Sequence, residues 1–175
     1  MSEMMWMPIG RLPALLLAAC VVGAGEAGAQ TTRPLAVEGV VGWAGFVDDA
    51  TDHHALAGAS VRLPIGRRLS VGPEVFVTNG SSDRDTFVLG SLWVDLGPSP
   101  DVAPVVPYVV IGGGYMRHSQ RFGSRRFVSG EGSFTAGGGV RAHLNDRIYV
   151  GGDLRIGWEL HLRATAHVGV TWPRR

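Results

Sequence analysis

"LHLRATAHVGVTW", residues 160–172, sets Leu160, Leu162, Ala164, Ala166, Val168, Val170 and Trp172 at every second position. His161, Arg163, Thr165, His167, Gly169 and Thr171 stand between them. Alternation of this length predicts one long β-strand with an apolar face and a polar face. Whether the apolar face meets a protein core or a lipid bilayer decides the fold.

The same signal recurs upstream. Strand-like segments fall at about 35–47, 55–65, 69–78, 86–96, 107–118, 130–143, 148–157 and 160–172. Most reach the roughly 9–11 residues that a tilted strand needs to cross a bilayer. Strands of soluble proteins typically run to about 5–6. The connections alternate in length: "DDATDHH" (48–54), "NGSSDRD" (79–85) and "SQRFGSRRFVS" (119–129) are long and polar, whereas "GRR" (66–68) and "LNDR" (144–147) are tight. Long loops on one side and tight turns on the other are the pattern of a membrane barrel. "GPSPDVAPVV" (97–106) and the short link near Trp158-Glu159 depart from it.

Composition narrows the choice. Of 175 residues, 45% are hydrophobic and only 18% charged, against roughly 25% charged in ordinary soluble domains. All 16 basic residues are arginine, so the lysines that usually protect exposed sheet edges are missing. No segment after residue 30 offers a long amphipathic helix or an apolar run long enough to cross a membrane as a helix.

The first residues read differently. "RLPALLLAACVVGAGEAGA" (11–29) places Arg11 before an apolar run and the small-residue site Ala27-Gly28-Ala29. That is the order of a secretory signal over 1–29, cleaved before Gln30. Leu17-Ala18-Ala19-Cys20 also resembles a bacterial lipobox, in which Cys20 would carry the lipid. Ordinary cleavage removes Cys20, the single cysteine, so no disulfide can hold the exported domain. Loss of one base and two acids with residues 1–29 moves the formal net charge from +1 to about +2. That balance gives no reason to expect a nucleic-acid partner.

The faces can then be assigned. The polar face of these strands is Gly, Ser and Thr with sparse charges of both signs, which suits a narrow interior better than a water-exposed surface. Trp43, Tyr115, Phe134 and Trp158 fall near loop-side ends and Trp172 near a turn-side end, as the two aromatic girdles of a membrane barrel would. The expected fold is therefore all-β: an eight-stranded antiparallel up-and-down transmembrane β-barrel over 35–172. Residues 30–34 form a short lead and 173–175 a tail. An even strand count returns both termini to the periplasmic side.

"PYVVIGGGYMR" (107–117), "TAGGGVRAHLNDRIYVGGDLRIGWE" (135–159) and the final alternating strand resemble the outer-membrane-protein beta-barrel domain family, including small eight-stranded barrels of the OmpA and OmpX type. The resemblance covers about 35–172. It implies location in the outer membrane of a Gram-negative-type envelope, contact with outer-membrane lipid and lipopolysaccharide, and insertion by the barrel-assembly machinery. Family members usually end on the last aromatic, whereas Pro173, Arg174 and Arg175 follow Trp172 here. Such a fold does not by itself specify a function.

Candidate residues follow from strand parity. Glu38, Arg62, Glu74, Asp95, Arg141, Asp153, Arg155 and Arg163 are expected inside, with His143, His161 and His167. Glu38 should lie near Arg62. Arg155 should stand opposite Arg163, which requires an acid between them. Mixed signs favour a bridged network that plugs the lumen. Arg121, Arg125 and Arg126 on an outward-facing 119–129 loop are candidates for lipopolysaccharide phosphates. Asp48, Asp49, Asp52, His53 and His54 crowd the first loop, but no ligand spacing marks a metal site there. "YVVIGGGY" sits inside a strand and is no nucleotide loop; its glycines suggest close backbone approach or bending in a small barrel.

No cofactor is expected, nor a catalytic residue. The expected role is structural or a surface interaction by a monomer. One alternative is a soluble exported barrel that binds an apolar ligand. Another is a lipid A-modifying enzyme, for which His118-Ser119 would be the starting point although such enzymes carry His-x-Ser.

Overall fold

The computed structural model describes residues 34–46, 53–80, 83–97, 103–123, 125–158 and 161–172. The segment expected to be a signal, with Cys20, the first-loop acids Asp48, Asp49 and Asp52, and the tail after Trp172 lie outside the described residues. Eight strands form: β1 (Leu35–Phe46), β2 (His53–Pro64), β3 (Leu69–Asn79), β4 (Asp83–Asp95), β5 (Val105–Phe122), β6 (Arg125–His143), β7 (Ile148–Gly157) and β8 (His161–Trp172). Each pairs antiparallel with its sequence neighbour, and β8 pairs with β1 to close the barrel. Closure leaves no edge strand with unpaired N–H and C=O groups, the condition for placing strands in lipid.

The alternation of the last strand emerges as expected. In β8, His161, Arg163, Thr165, His167, Gly169 and Thr171 are buried, while Leu162, Ala166, Val168, Val170 and Trp172 are exposed. The same sense holds round the ring. Val41, Ile111, Leu154 and Ile156 on three different strands are each about 60% exposed, and Arg62, Glu74, Asp153 and Arg155 on the opposite parity are buried. A soluble barrel would have these faces reversed. Exposed large apolar side chains recur on β1, β3 and β5 to β8, a continuous oily surface of the kind that soluble monomers avoid, and lipid is its solvent. The girdle residues Tyr115, Phe134, Trp158 and Trp172 point outward, and the Phe134 and Trp158 rings lie 5.7 Å apart.

Two expectations need correction. The inner face is not only small residues with sparse charges. Phe76, Phe87, Leu89, Trp93, Tyr108 and Tyr149 are fully buried inside. Small residues make room for some of them: a Cβ on Gly169 would lie 2.1 Å from Tyr149 Cζ, so only glycine lets that ring cross from β7. Gly114 in the "IGGGY" stretch has the close backbone approach expected of it, since a Cβ there would lie 2.1 Å from the Val88 carbonyl.

The second correction concerns 119–129, expected as a loop. β5 and β6 run to 18 and 19 residues and stay paired as far as Phe122↔Arg125, turning at Gly123 with φ +61°. Beyond the barrel rim both faces of the hairpin meet water, as the unbroken exposure of Arg125–Gly132 shows. The alternation disappears there although the hydrogen bonding does not. His53, His54, Asp83 and Asp85 likewise belong to strands and not to loops.

Candidate functional site

The interior is arranged in layers along the barrel. Nearest the tight turns, Asp95 of β4 pairs with Arg141 of β6. Next to them, Glu38 of β1 accepts from Arg62 Nε at 2.7 Å and from the Tyr149 hydroxyl at 2.8 Å, and Ser60 donates to its other oxygen. The Arg62 guanidinium lies 4.4 Å from the Trp93 ring centre and 4.8 Å from that of Tyr108. The Arg141 guanidinium lies 5.0 Å from the ring centre of the same tyrosine. Such cation–π stacking is worth more where water is excluded.

The middle layer joins opposite walls. Arg155 of β7 donates to Glu74 of β3 through both terminal nitrogens, at 2.7 and 2.9 Å. It also holds Asp153 at 2.9 Å, which accepts from Tyr108 Oη at 3.0 Å and from Thr165 Oγ1 at 2.8 Å. Arg155 does stand opposite Arg163. Glu74 lies between them, 3.9 Å from Arg163 Nη2, and takes a further bond from Ser91 at 2.6 Å. Each of the eight charged residues expected inside is at most 6% exposed. His167 lies edge-on to Tyr149 with ring centres 6.3 Å apart, His143 tilts 5.1 Å from the same ring, and His161 donates to the Trp158 carbonyl.

Toward the loop side an apolar plug follows, made of Ala44, Leu56, Phe76, Phe87, Leu89 and Met116. Phe76 and Phe87 stack with centroids 4.4 Å apart, and Arg163 caps Phe76 at 4.3 Å. Sequence reasoning missed these aromatics. Tyr149 shares parity with Asp153, and Trp93 with Asp95, so those two were reachable. Tyr108 was not, because both faces of β5 carry apolar residues.

On the outside, just beyond Tyr115, the three strands β4 to β6 carry a second arginine group. Arg84, Thr86, Arg117, Ser119 and Arg126 line an open recess of about 220 Å³, and Arg126 Nε donates to Ser119 Oγ at 2.7 Å. Of the three expected phosphate ligands, Arg126 is in this recess. Arg121 stands beside it in register, and Arg125 is at the hairpin tip next to the turn. Arg84 and Arg117 were not anticipated, although their outward parity above a girdle residue was available. His118 and Ser119 face opposite sides of β5: His118 Nδ1 donates inward to Asp85 at 2.6 Å, while Ser119 serves Arg126. They do not form a nucleophile–base pair.

Residues 14–172 match the outer membrane protein beta-barrel domain family. Among solved structures, the chain is similar to the N-terminal β-barrel domain of Pseudomonas aeruginosa OprF, with 11% identity, a TM-score of 0.66, and coverage of 82% of this chain and 100% of that one. It is similar also to Neisserial surface protein A (NspA), with 13% identity, a TM-score of 0.67, and coverage of 81% and 98%. Ail, the attachment invasion locus protein of Yersinia pestis, is 10% identical with a TM-score of 0.51 over 79% and 95%. At these identities the likeness concerns the fold alone. No curated protein is significantly similar in sequence.

Proposed function

As this chain belongs to the outer membrane protein beta-barrel domain family, we propose that it is a monomeric outer-membrane barrel with a structural or surface-interaction role and a lumen plugged by its own side chains. The bidentate Arg155–Glu74 contact between strands four places apart in the ring carries this reading. An eight-stranded barrel has an interior about wide enough for side chains alone, and here ion pairs, stacked aromatics and an apolar layer occupy it in turn. Planar-bilayer recordings of the purified protein should show no stable porin-sized conductance. A steady large conductance would mean that water, and not this network, fills the lumen.

The surface part of the role rests on the recess on the outer wall. Arg84, Arg117 and Arg126 stand together just beyond the girdle tyrosine, where the phosphates of lipopolysaccharide would lie. Guanidinium groups bind phosphate through paired, charge-assisted hydrogen bonds. Replacing all three with alanine should remove most of the salt-sensitive part of lipopolysaccharide binding by the barrel in detergent micelles, with little change in unfolding stability. Titration of labelled lipopolysaccharide at several salt concentrations reads this. Unchanged binding by the folded variant at every salt concentration would remove the recess from the role.

Export by a signal cleaved before Gln30, insertion by the barrel-assembly machinery and periplasmic termini complete the proposal. The export signal delivers the chain across the inner membrane, and an even number of strands returns its end to the side of entry. No catalytic role is assigned, because the His118 and Ser119 side chains diverge.

A further inference from the structure

At the loop-side mouth of the barrel, three adjacent interior faces bring together side chains that the layers below do not use. His54 of β2, Asp83 and Asp85 of β4 each offer a ligand atom, and these atoms all lie within 4.8 Å of one another. His54 Nε2 is 2.8 Å from Asp83 Oδ2. Behind the first ligands stand two supports for Asp85. Thr78 Oγ1 of β3 donates to its Oδ2 at 3.1 Å, and His118 Nδ1 of β5 donates to its Oδ1 at 2.6 Å.

The backbone also makes room for this convergence. A Cβ on Gly80 would lie 2.2 Å from Asp83 Oδ1 and 2.4 Å from His54 Nε2, so any larger residue would fill the place where the two side chains meet. His54 and Asp85 are buried, while Asp83 and His118 keep 18% and 34% of their side chains exposed. That leaves a route from solvent.

We propose that His54, Asp83 and Asp85 form a binding site for a late first-row divalent cation of the zinc class. One imidazole with two carboxylates suits such ions. Ligands about 2.1 Å from a tetrahedral ion stand about 3.4 Å apart, so the three groups need only small side-chain rotations to close on it. With three protein ligands the fourth position falls to water, on the side open to solvent. The hydrogen bond from His118 orients the Asp85 carboxylate, so His118 is a positioning residue and not a ligand.

Zinc ion alone is the probe, with the full barrel refolded in detergent micelles and its folding checked by heat-modifiable gel mobility. Equilibrium dialysis should give one zinc per folded chain, and cobalt in its place should show the visible absorption of a four-coordinate site. His54→Gln and Asp83→Asn should abolish stoichiometric binding. His118→Gln should weaken it by about 10–100-fold, and His53→Gln should leave it unchanged. If the ligand variants do not fold, X-ray absorption on the zinc-loaded native barrel decides, through a first shell of one imidazole with oxygen donors. Absence of stoichiometric binding by the folded native chain, retention by both ligand variants, loss in His53→Gln, or a shell without imidazole would each overturn the assignment.

Discussion

Glu74→Gln should destabilise the folded barrel by about 3–5 kcal/mol, the usual cost of removing one partner from a buried ionic cluster. Register sets Arg155 and Arg163 side by side on β7 and β8. Two buried guanidinium groups at that separation repel strongly in a medium of low dielectric. Glu74 answers both, at 2.7 Å from Arg155 and 3.9 Å from Arg163. Glutamine preserves the volume and the bond from Ser91 but removes the charge. Among the described residues Asp153 would then be the acid left beside Arg155, and it already accepts from Tyr108 and Thr165. Urea unfolding in lipid vesicles measures the loss. Adding Arg163→Met to Glu74→Gln should recover much of it, because the unpaired charge goes and the contact with Phe76 is kept by an apolar side chain. A cost below about 1 kcal/mol for Glu74→Gln would show that the two arginines are relieved by something other than this acid.

Leu154→Arg should cost about 2–4 kcal/mol, the penalty for a cation on the lipid face near the middle of the bilayer. Leu154 lies centrally on β7, 61% exposed, with the buried Asp153 and Arg155 on either side of it in sequence. On a water-facing surface the same substitution would change stability by no more than about 0.5 kcal/mol. Ser129→Arg supplies that comparison within the same molecule, since Ser129 is on the exposed part of β6 beyond the rim. The pair of substitutions thus reads the solvent on each part of the outer wall. Equal, small effects at both positions would mean that water surrounds the belt, and the soluble ligand-binding alternative would gain.

The division between local and tertiary information follows the physics of the two solvents. Lipid imposes a period of two on every residue of a spanning strand, and residues 160–172 carried that period without interruption. From it the strand count, the outward face and the inward parity of the charges on the cleanly alternating strands could be read, and hairpin geometry added the Glu38–Arg62 proximity; the strand that carries Asp95 alternates less cleanly. The hairpin beyond Tyr115 could not be read, because water on both faces erases the alternation while the backbone bonds persist.

What faces what across the lumen lay beyond the sequence altogether. Glu74 meets Arg155 from 81 residues away, and Tyr149 meets Glu38 from 111. His54, Asp83, Asp85 and His118 come together from three strands. These meetings depend on the stagger of each strand against the next, summed round the closed ring. A one-residue slip at any seam would move every cross-barrel partner while leaving the local pattern of the other strands as it was. The sequence by itself determined that this chain is a membrane barrel with a charged interior. Only closure of the ring decided which acid neutralises which arginine, and which side chains gather at its mouth.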